Sequence, residues 1–211
     1  MSPTDIEILP LTNALGAEVR GVDLAEPIDT KTFSALDAAF NEFSVICIRN
    51  QDLKPLSFLD YAKCFGVPQN LYLDNYAMPG FPEILFISNI QENGVDIGHS
   101  DAGCVWHSDM SFNRNPPRAT LLHAREVPVS EDGQTLGDTL FASAVKAYDS
   151  LSNEMKEIAA SKKVVHDILG RRRARGTGSQ DNEKRAKVGL TRHPAIRKHP
   201  ITGKKAIYVS N

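Results

Sequence analysis

The chain has 211 residues, 41% hydrophobic and 24% charged, with a formal net charge of -2 and a pI near 6.3. These values suit one soluble domain, residues 1–211, with a real core, and the near-neutral balance gives no global electrostatic reason to expect a nucleic acid or an anionic membrane as partner. The opening MSPTDIEILP lacks a basic segment followed by an apolar one, and no run reaches bilayer-spanning length, so a cytoplasmic protein is expected. Cys47, Cys64 and Cys104 show no CxxC spacing, which speaks against a disulfide framework or a cysteine zinc site; Cys47 and Cys64 have apolar neighbours and are expected in the core.

Taken in chain order, GAEVRGVDL (16–24) alternates apolar and polar residues between glycines and predicts a short strand. DTKTFSALDAAFNEF opens on an Asp29/Thr30 cap and spaces Phe33, Leu36, Ala39, Phe40 and Phe43 as one face of a helix. SVICIRN is a β-branched run suited to a buried strand, and KPLSFLDYAKCFG predicts a second helix closed by Gly66. EILFISNI follows Pro/Gly punctuation and predicts another strand. From Thr120 the pattern becomes strand, turn, strand in ATLLHAREV and SEDGQTLGDTLFA. SAVKAYDSLSNEMKEIAAS has helical periodicity, and RHPAIRKHPITGKKAIYVS predicts a hairpin turning at Thr202-Gly203. Helices early and strands later favour an α+β fold, mainly β with helical additions, over a doubly wound sheet. The segment 162–190 contains GRRRARG and predicts a basic, mobile loop, with a cationic lid over an anionic substrate as its functional reading.

The triplet His-Ser-Asp occurs twice, at His99-Ser100-Asp101 and His107-Ser108-Asp109. With 6 histidines in the chain, roughly 0.3 to 0.5 His-x-Asp triplets are expected by chance, so context must separate the copies. On a strand, residues i and i+2 project to one face and can point an imidazole and a carboxylate at one metal ion. CVWHSDMSF suits such an extended, half-buried segment, whereas the first copy lies between Gly98 and Gly103 in a turn-prone stretch and is expected to be a solvent-facing loop or Asx turn. His107 and Asp109 are therefore the candidate ligands. They make two thirds of the 2-His-1-carboxylate triad that leaves positions open on non-haem Fe(II). Catalytic zinc accepts the same residue types but needs three protein ligands, and no HxH or HExxH is present.

These stretches, GAEVRGVDL, IRNQDLKPLSFLDYAKCFG, WHSDMSF, PPRATLLHAREVP, GDTLFAS with AYDSL, and HPAIRKHPITGKKAIYVSN, occur in order from about Leu11 to the last residue. Together they resemble the taurine dioxygenase / 2,4-D dioxygenase (TauD/TfdA) family of Fe(II)- and 2-oxoglutarate-dependent dioxygenases. The resemblance implies a double-stranded β-helix (jelly roll), the cofactors Fe(II), 2-oxoglutarate and O2, and hydroxylation of a small organic molecule with release of succinate and CO2. It gives His107 and Asp109 as metal ligands and Thr139 as the hydroxyl that binds the distal carboxylate of 2-oxoglutarate, where a donor makes a strong charge-assisted bond. Trp106 is expected to pack in the core beside the site, Asn89 is a candidate substrate-pocket residue, and a homo-oligomer follows from the family.

The family's third ligand is a His well beyond the HxD, followed by an Arg for 2-oxoglutarate; both are expected beyond Asn211, so the jelly roll is expected to lack its C-terminal part here. His193 and His199 are the histidines after the basic segment, but His199 belongs to a turn-shaping HPxTG pattern, and neither is expected to substitute. His123 on an apolar strand and His166 in the basic segment are expected to be structural or solvated. Taurine-specific members carry a His after the Phe-Gly of the second helix and an Asn three residues before the Trp. Here VPQNLYLD follows Phe65-Gly66 and Gly103 takes the second position, which argues against taurine. A small organic anion is the expected substrate. The alternatives are a non-catalytic, truncated metal-binding or interaction domain and a zinc hydrolase.

Overall fold

The structure is a computed structural model that describes residues 6–70, 76–100, 102–103, 105–167 and 190–209. It resolves into two compact units, one of residues 1–67 with 120–143 and one of 68–119 with 144–211.

In the first unit, β1 (Glu7–Pro10) pairs antiparallel with β2 (Ala17–Arg20), and β2 pairs parallel with β3 (Ile46–Ile48). A parallel pair needs a crossover, and α1 (Thr30–Phe43) supplies it. Asp29 caps this helix by accepting the Thr32 amide at 2.7 Å, and Ser44 ends it at φ 67 with its amide on the Phe40 carbonyl. The apolar stripe then buries Leu36 and Ala39, as the spacing predicts. α2 (Pro55–Cys64) starts on Pro55, whose fixed φ suits a first helical turn. Val19, Leu24, Leu36 and Tyr61 form the core. Phe33, Phe40 and Tyr61 stand edge-on around Phe65 at 5.2, 5.7 and 5.4 Å, the offset that aromatic quadrupoles favour. Gln51 fastens the loops: its side chain accepts the Leu24 amide and donates to the Val22 and Arg49 carbonyls, while its own carbonyl takes His123 Nε2 at 3.1 Å. His123 is thus a structural residue.

Among the described residues of the second unit the sheets have two strands each. β4 (Ala77–Met78) pairs with β5 (Phe81–Leu85), and β6 (Gln91–Glu92) with β7 (Val95–Asp96). The turn between β6 and β7 is Asn93-Gly94, both at positive φ (52° and 76°), a residue pair suited to a two-residue hairpin. After α3 (Ala144–Asp149) and α4 (Asn153–Ala160), β8 (Lys163–His166) pairs with β9 (Thr191–Pro194), and β10 (Ile196–Lys198) with β11 (Lys205–Ile207).

Several expectations are corrected. The single helix expected from Ser143 is two, because the Ser152 hydroxyl accepts the Met155 amide and starts α4 afresh. EILFISNI is a strand only to Leu85. The two strands expected between Thr120 and Ala142 reduce to one bridge, Val129 with Thr135, around a turn in which Gly133 has φ 82 and the Ser130 hydroxyl meets Asp132. Cys64 is exposed at the end of α2 rather than in the core, and Cys47 is half-buried. The first residues of the expected basic loop are β8, with His166 fully buried; residues 168–189 lie outside the described residues, as does Cys104. Among the described residues no helix is long and apolar enough to cross a membrane.

Candidate metal centre

His107 and Asp109 lie in the second unit, and the segment that carries them is irregular backbone running into a turn rather than the expected strand. The side chains converge nonetheless: His107 Nε2 stands 3.0 Å from Asp109 Oδ1. Both are accessible, with side-chain exposures of 29% and 45%. Immediately downstream, Met110 has φ 45, a left-handed conformation that costs a side-chain-bearing residue about 1–2 kcal/mol. The turn is closed by the Asn113 amide on the Met110 carbonyl at 2.9 Å and held down by the buried Ser111 and Phe112.

The chemistry of the donor set fits a cation. The Val105 carbonyl lies 2.7 Å from His107 Nδ1 and can only accept, so Nδ1 carries the hydrogen of that bond. In the neutral imidazole this leaves the Nε2 lone pair facing a carboxylate oxygen, and two acceptors at 3.0 Å repel unless a positive charge sits with them. A proton on Nε2, which makes the contact a His–Asp ion pair, supplies that charge, and so does a metal ion held by both atoms; the carbonyl that fixes the tautomer is the usual outer partner of a ligating histidine. Among the described residues no group of three His, Cys, Asp or Glu side chains is placed to hold a metal.

The first His-Ser-Asp copy is placed differently. His99 is half-buried rather than solvent-facing, its amide on the Phe86 carbonyl at 2.9 Å and its ring edge-on to Tyr76 at 5.3 Å. Gly98 allows this close approach, since a Cβ there would lie 2.8 Å from the Ser88 amide nitrogen. Asp101 lies outside the described residues. Trp106, expected in the core, is 58% exposed. Asn89 is exposed beyond the end of β5, and Thr139 belongs to the first unit, exposed in an irregular stretch after Gly137.

The remaining histidines have other roles. His199 Nδ1 accepts the Ile201 and Thr202 amides at 3.3 and 3.1 Å, which builds the turn that Gly203 completes. Burial, with Arg118 and Lys204 nearby, holds this imidazole below its ordinary value, the direction that favours the accepting form. His166 and His193 are buried against each other and against Tyr208, which the sequence shows only as three separate residues.

A model of the "Taurine catabolism dioxygenase TauD, TfdA family" matches residues 7–211. Pentalenolactone F synthase of Streptomyces arenae is 31% identical over 97% of this chain and 72% of its own length. An alpha-ketoglutarate-dependent sulfate ester dioxygenase of Pseudomonas putida is 27% identical over 98% and 67%, and an alpha-ketoglutarate-dependent 2,4-dichlorophenoxyacetate dioxygenase of Cupriavidus pinatubonensis 25% identical over 95% and 71%. In structure, the chain is similar to AAD-2 in complex with Mn(II) and N-oxalylglycine, at TM-score 0.67 and 20% identity over 97% of this chain and 69% of that one. A putative alpha-ketoglutarate dependent 2,4-D dioxygenase from Burkholderia xenovorans gives TM-score 0.68 at 20% identity, over 98% and 70%. The chain thus spans about two thirds to three quarters of the length of these proteins. Matched over nearly all of its residues, it belongs to the TauD/TfdA family of dioxygenases.

Proposed function

We propose that the chain is a single dioxygenase domain of the double-stranded β-helix type, an Fe(II)- and 2-oxoglutarate-dependent oxidoreductase that hydroxylates a small organic anion. The observation that carries the reading is the convergence of His107 Nε2 and Asp109 Oδ1 on one point, with Nδ1 engaged by the Val105 carbonyl. These two residues would hold the metal. Fe(II), with 2-oxoglutarate and O2 as co-substrates, supplies the oxidising chemistry, in which one oxygen atom enters the substrate C–H bond and the other enters succinate as CO2 leaves. The chain's own part is to fix ligand direction, bind the co-substrate and orient the substrate. The Thr139 hydroxyl is assigned to the distal carboxylate of 2-oxoglutarate and Asn89 to the substrate pocket.

The anionic substrate is supported by relatives named for sulfate esters, sulfonates and 2,4-dichlorophenoxyacetate. Taurine is disfavoured by Gly103 and by the missing histidine after Phe65-Gly66. Incubation with Fe(II), ascorbate and 2-oxoglutarate is expected to release succinate, and Asp109→Ala is expected to abolish both this release and metal binding. Metal binding without succinate, across sulfonate, sulfate ester and aryloxyacetate substrates, would favour a non-catalytic metal-binding domain instead. Activity that survives removal of oxygen and 2-oxoglutarate would favour a hydrolase.

A further inference from the structure

We propose that His193 is a positioning residue for the His107/Asp109 pair, acting through the carbonyl of Asn113. This rests on the metal reading above and extends it to a residue outside the ligand set. Asp109 is followed at once by the strained Met110, and the turn from Met110 to Asn113 must be held from outside if the carboxylate is to keep facing His107. Burial of Ser111 and Phe112 gives part of that hold. The directional part is one hydrogen bond: His193 Nε2 lies 2.9 Å from the Asn113 carbonyl, 80 residues away in sequence. A carbonyl only accepts, so Nε2 carries the hydrogen and has no lone pair for a metal. His193 is therefore a strut in this arrangement and not a ligand.

The strut is itself fixed. His193 lies in β9 opposite Val164 of β8 and is 6% exposed. Its ring meets His166 edge-on at 5.1 Å and Tyr208 edge-on at 5.3 Å. Tyr208 stacks on His166 at 4.8 Å and 23°, and the Arg197 guanidinium lies 4.6 Å from the Tyr208 ring centre. Packed against the His166 and Tyr208 rings, the His193 imidazole sits with Nε2–H aimed at the turn that carries Asp109. Outer partners that orient ligands in this way typically contribute about 10–100-fold to metal affinity.

The test is Mn(II) binding by calorimetry to the full chain, unsubstituted and as His193→Phe, His193→Gln and His166→Phe, with thermal unfolding in parallel. His193→Phe keeps a ring and loses the donor, and its affinity is expected to fall about tenfold. His193→Gln keeps a donor and loses the ring, and is expected to retain affinity within about threefold even where its unfolding temperature drops. His166→Phe, which touches the cluster but not the turn, is expected to bind as the unsubstituted chain does. A His193→Phe chain that binds normally overturns the inference alone, as does affinity that merely follows unfolding temperature through the series. No binding by the unsubstituted chain overturns the metal reading and this inference with it. If His193→Phe does not fold, long-range proton–nitrogen spectra of the unsubstituted chain decide: Nε2 of His193 must be the protonated nitrogen, and a bare Nε2 overturns the inference.

Discussion

The two compact units solve burial in opposite ways. The first closes an apolar core, Val19, Leu24, Leu36 and Tyr61, and keeps its charges outside, where Glu18 takes Arg20 Nε at 2.6 Å and Arg49 Nε at 2.9 Å. Those guanidinium groups hold the Glu18 carboxyl below the usual range. The second unit buries imidazoles: His166 is fully enclosed, and neither of its ring nitrogens has a well-formed hydrogen bond among the described residues. Apolar packing gives the first unit stability without reference to any site. The rings of the second unit contribute less stability per buried group, because unsatisfied polar atoms offset the burial, and they contribute orientation instead.

This contrast can be broken by substitution. The largest expected effect is Leu36→Ala, which empties the middle of the apolar core and should lower unfolding free energy by about 2–5 kcal/mol in urea titrations. His166→Phe is the matching change in the second unit and should shift stability by no more than about 1 kcal/mol either way, because burying an apolar ring offsets the lost interaction with the Tyr208 backbone. A large loss from His166→Phe, or a small one from Leu36→Ala, would reverse the assignment of roles.

Acidification sharpens the same comparison. Burial, then the neighbouring His193, holds the His166 imidazole below 6.5, and burial does the same for His199. In the unfolded chain these groups take up protons first as pH falls, so their contribution is complete above pH 6.5 and is lost as pH falls through that value towards the lower folded values. Glu18 and Asp29 are held below 4.5 and 3.8, so their contributions to the first unit persist until pH falls below those values. Amide exchange at pH 7.5 and 5.5 is expected to show loosening of β8, β9 and the 199–204 turn while α1 and β2 keep their protection. Loosening that begins in α1 would contradict it. The smallest effect is Ser44→Gly: the left-handed C-cap of α1 carries a side chain for which nothing in the structure shows a need, and glycine there should stabilise by about 0.5–1 kcal/mol.

The sequence by itself determined β2, α1, β3 and α2 of the first unit and singled out His107 and Asp109 as the candidate pair. Helical spacing, the Asp29 cap and the β-branched run at Ile46–Ile48 are short-range signals, readable because each depends on a few neighbouring residues. Two residues apart in a matching run of motifs, His107 and Asp109 were legible for the same reason. Only the tertiary structure decided that they converge from irregular backbone, that His99 is half-buried, that Trp106 is exposed and that Thr120–Ala142 lacks paired strands among the described residues. Strand pairing and the His166–His193–Tyr208 cluster join residues dozens of positions apart, and a partner at such separation leaves no periodicity in the chain. What the sequence could list as isolated histidines, the fold sorted into a carboxylate partner, a donor to a distant carbonyl, a turn-former and a core ring, because hydrogen-bond direction and burial exist only once distant segments meet.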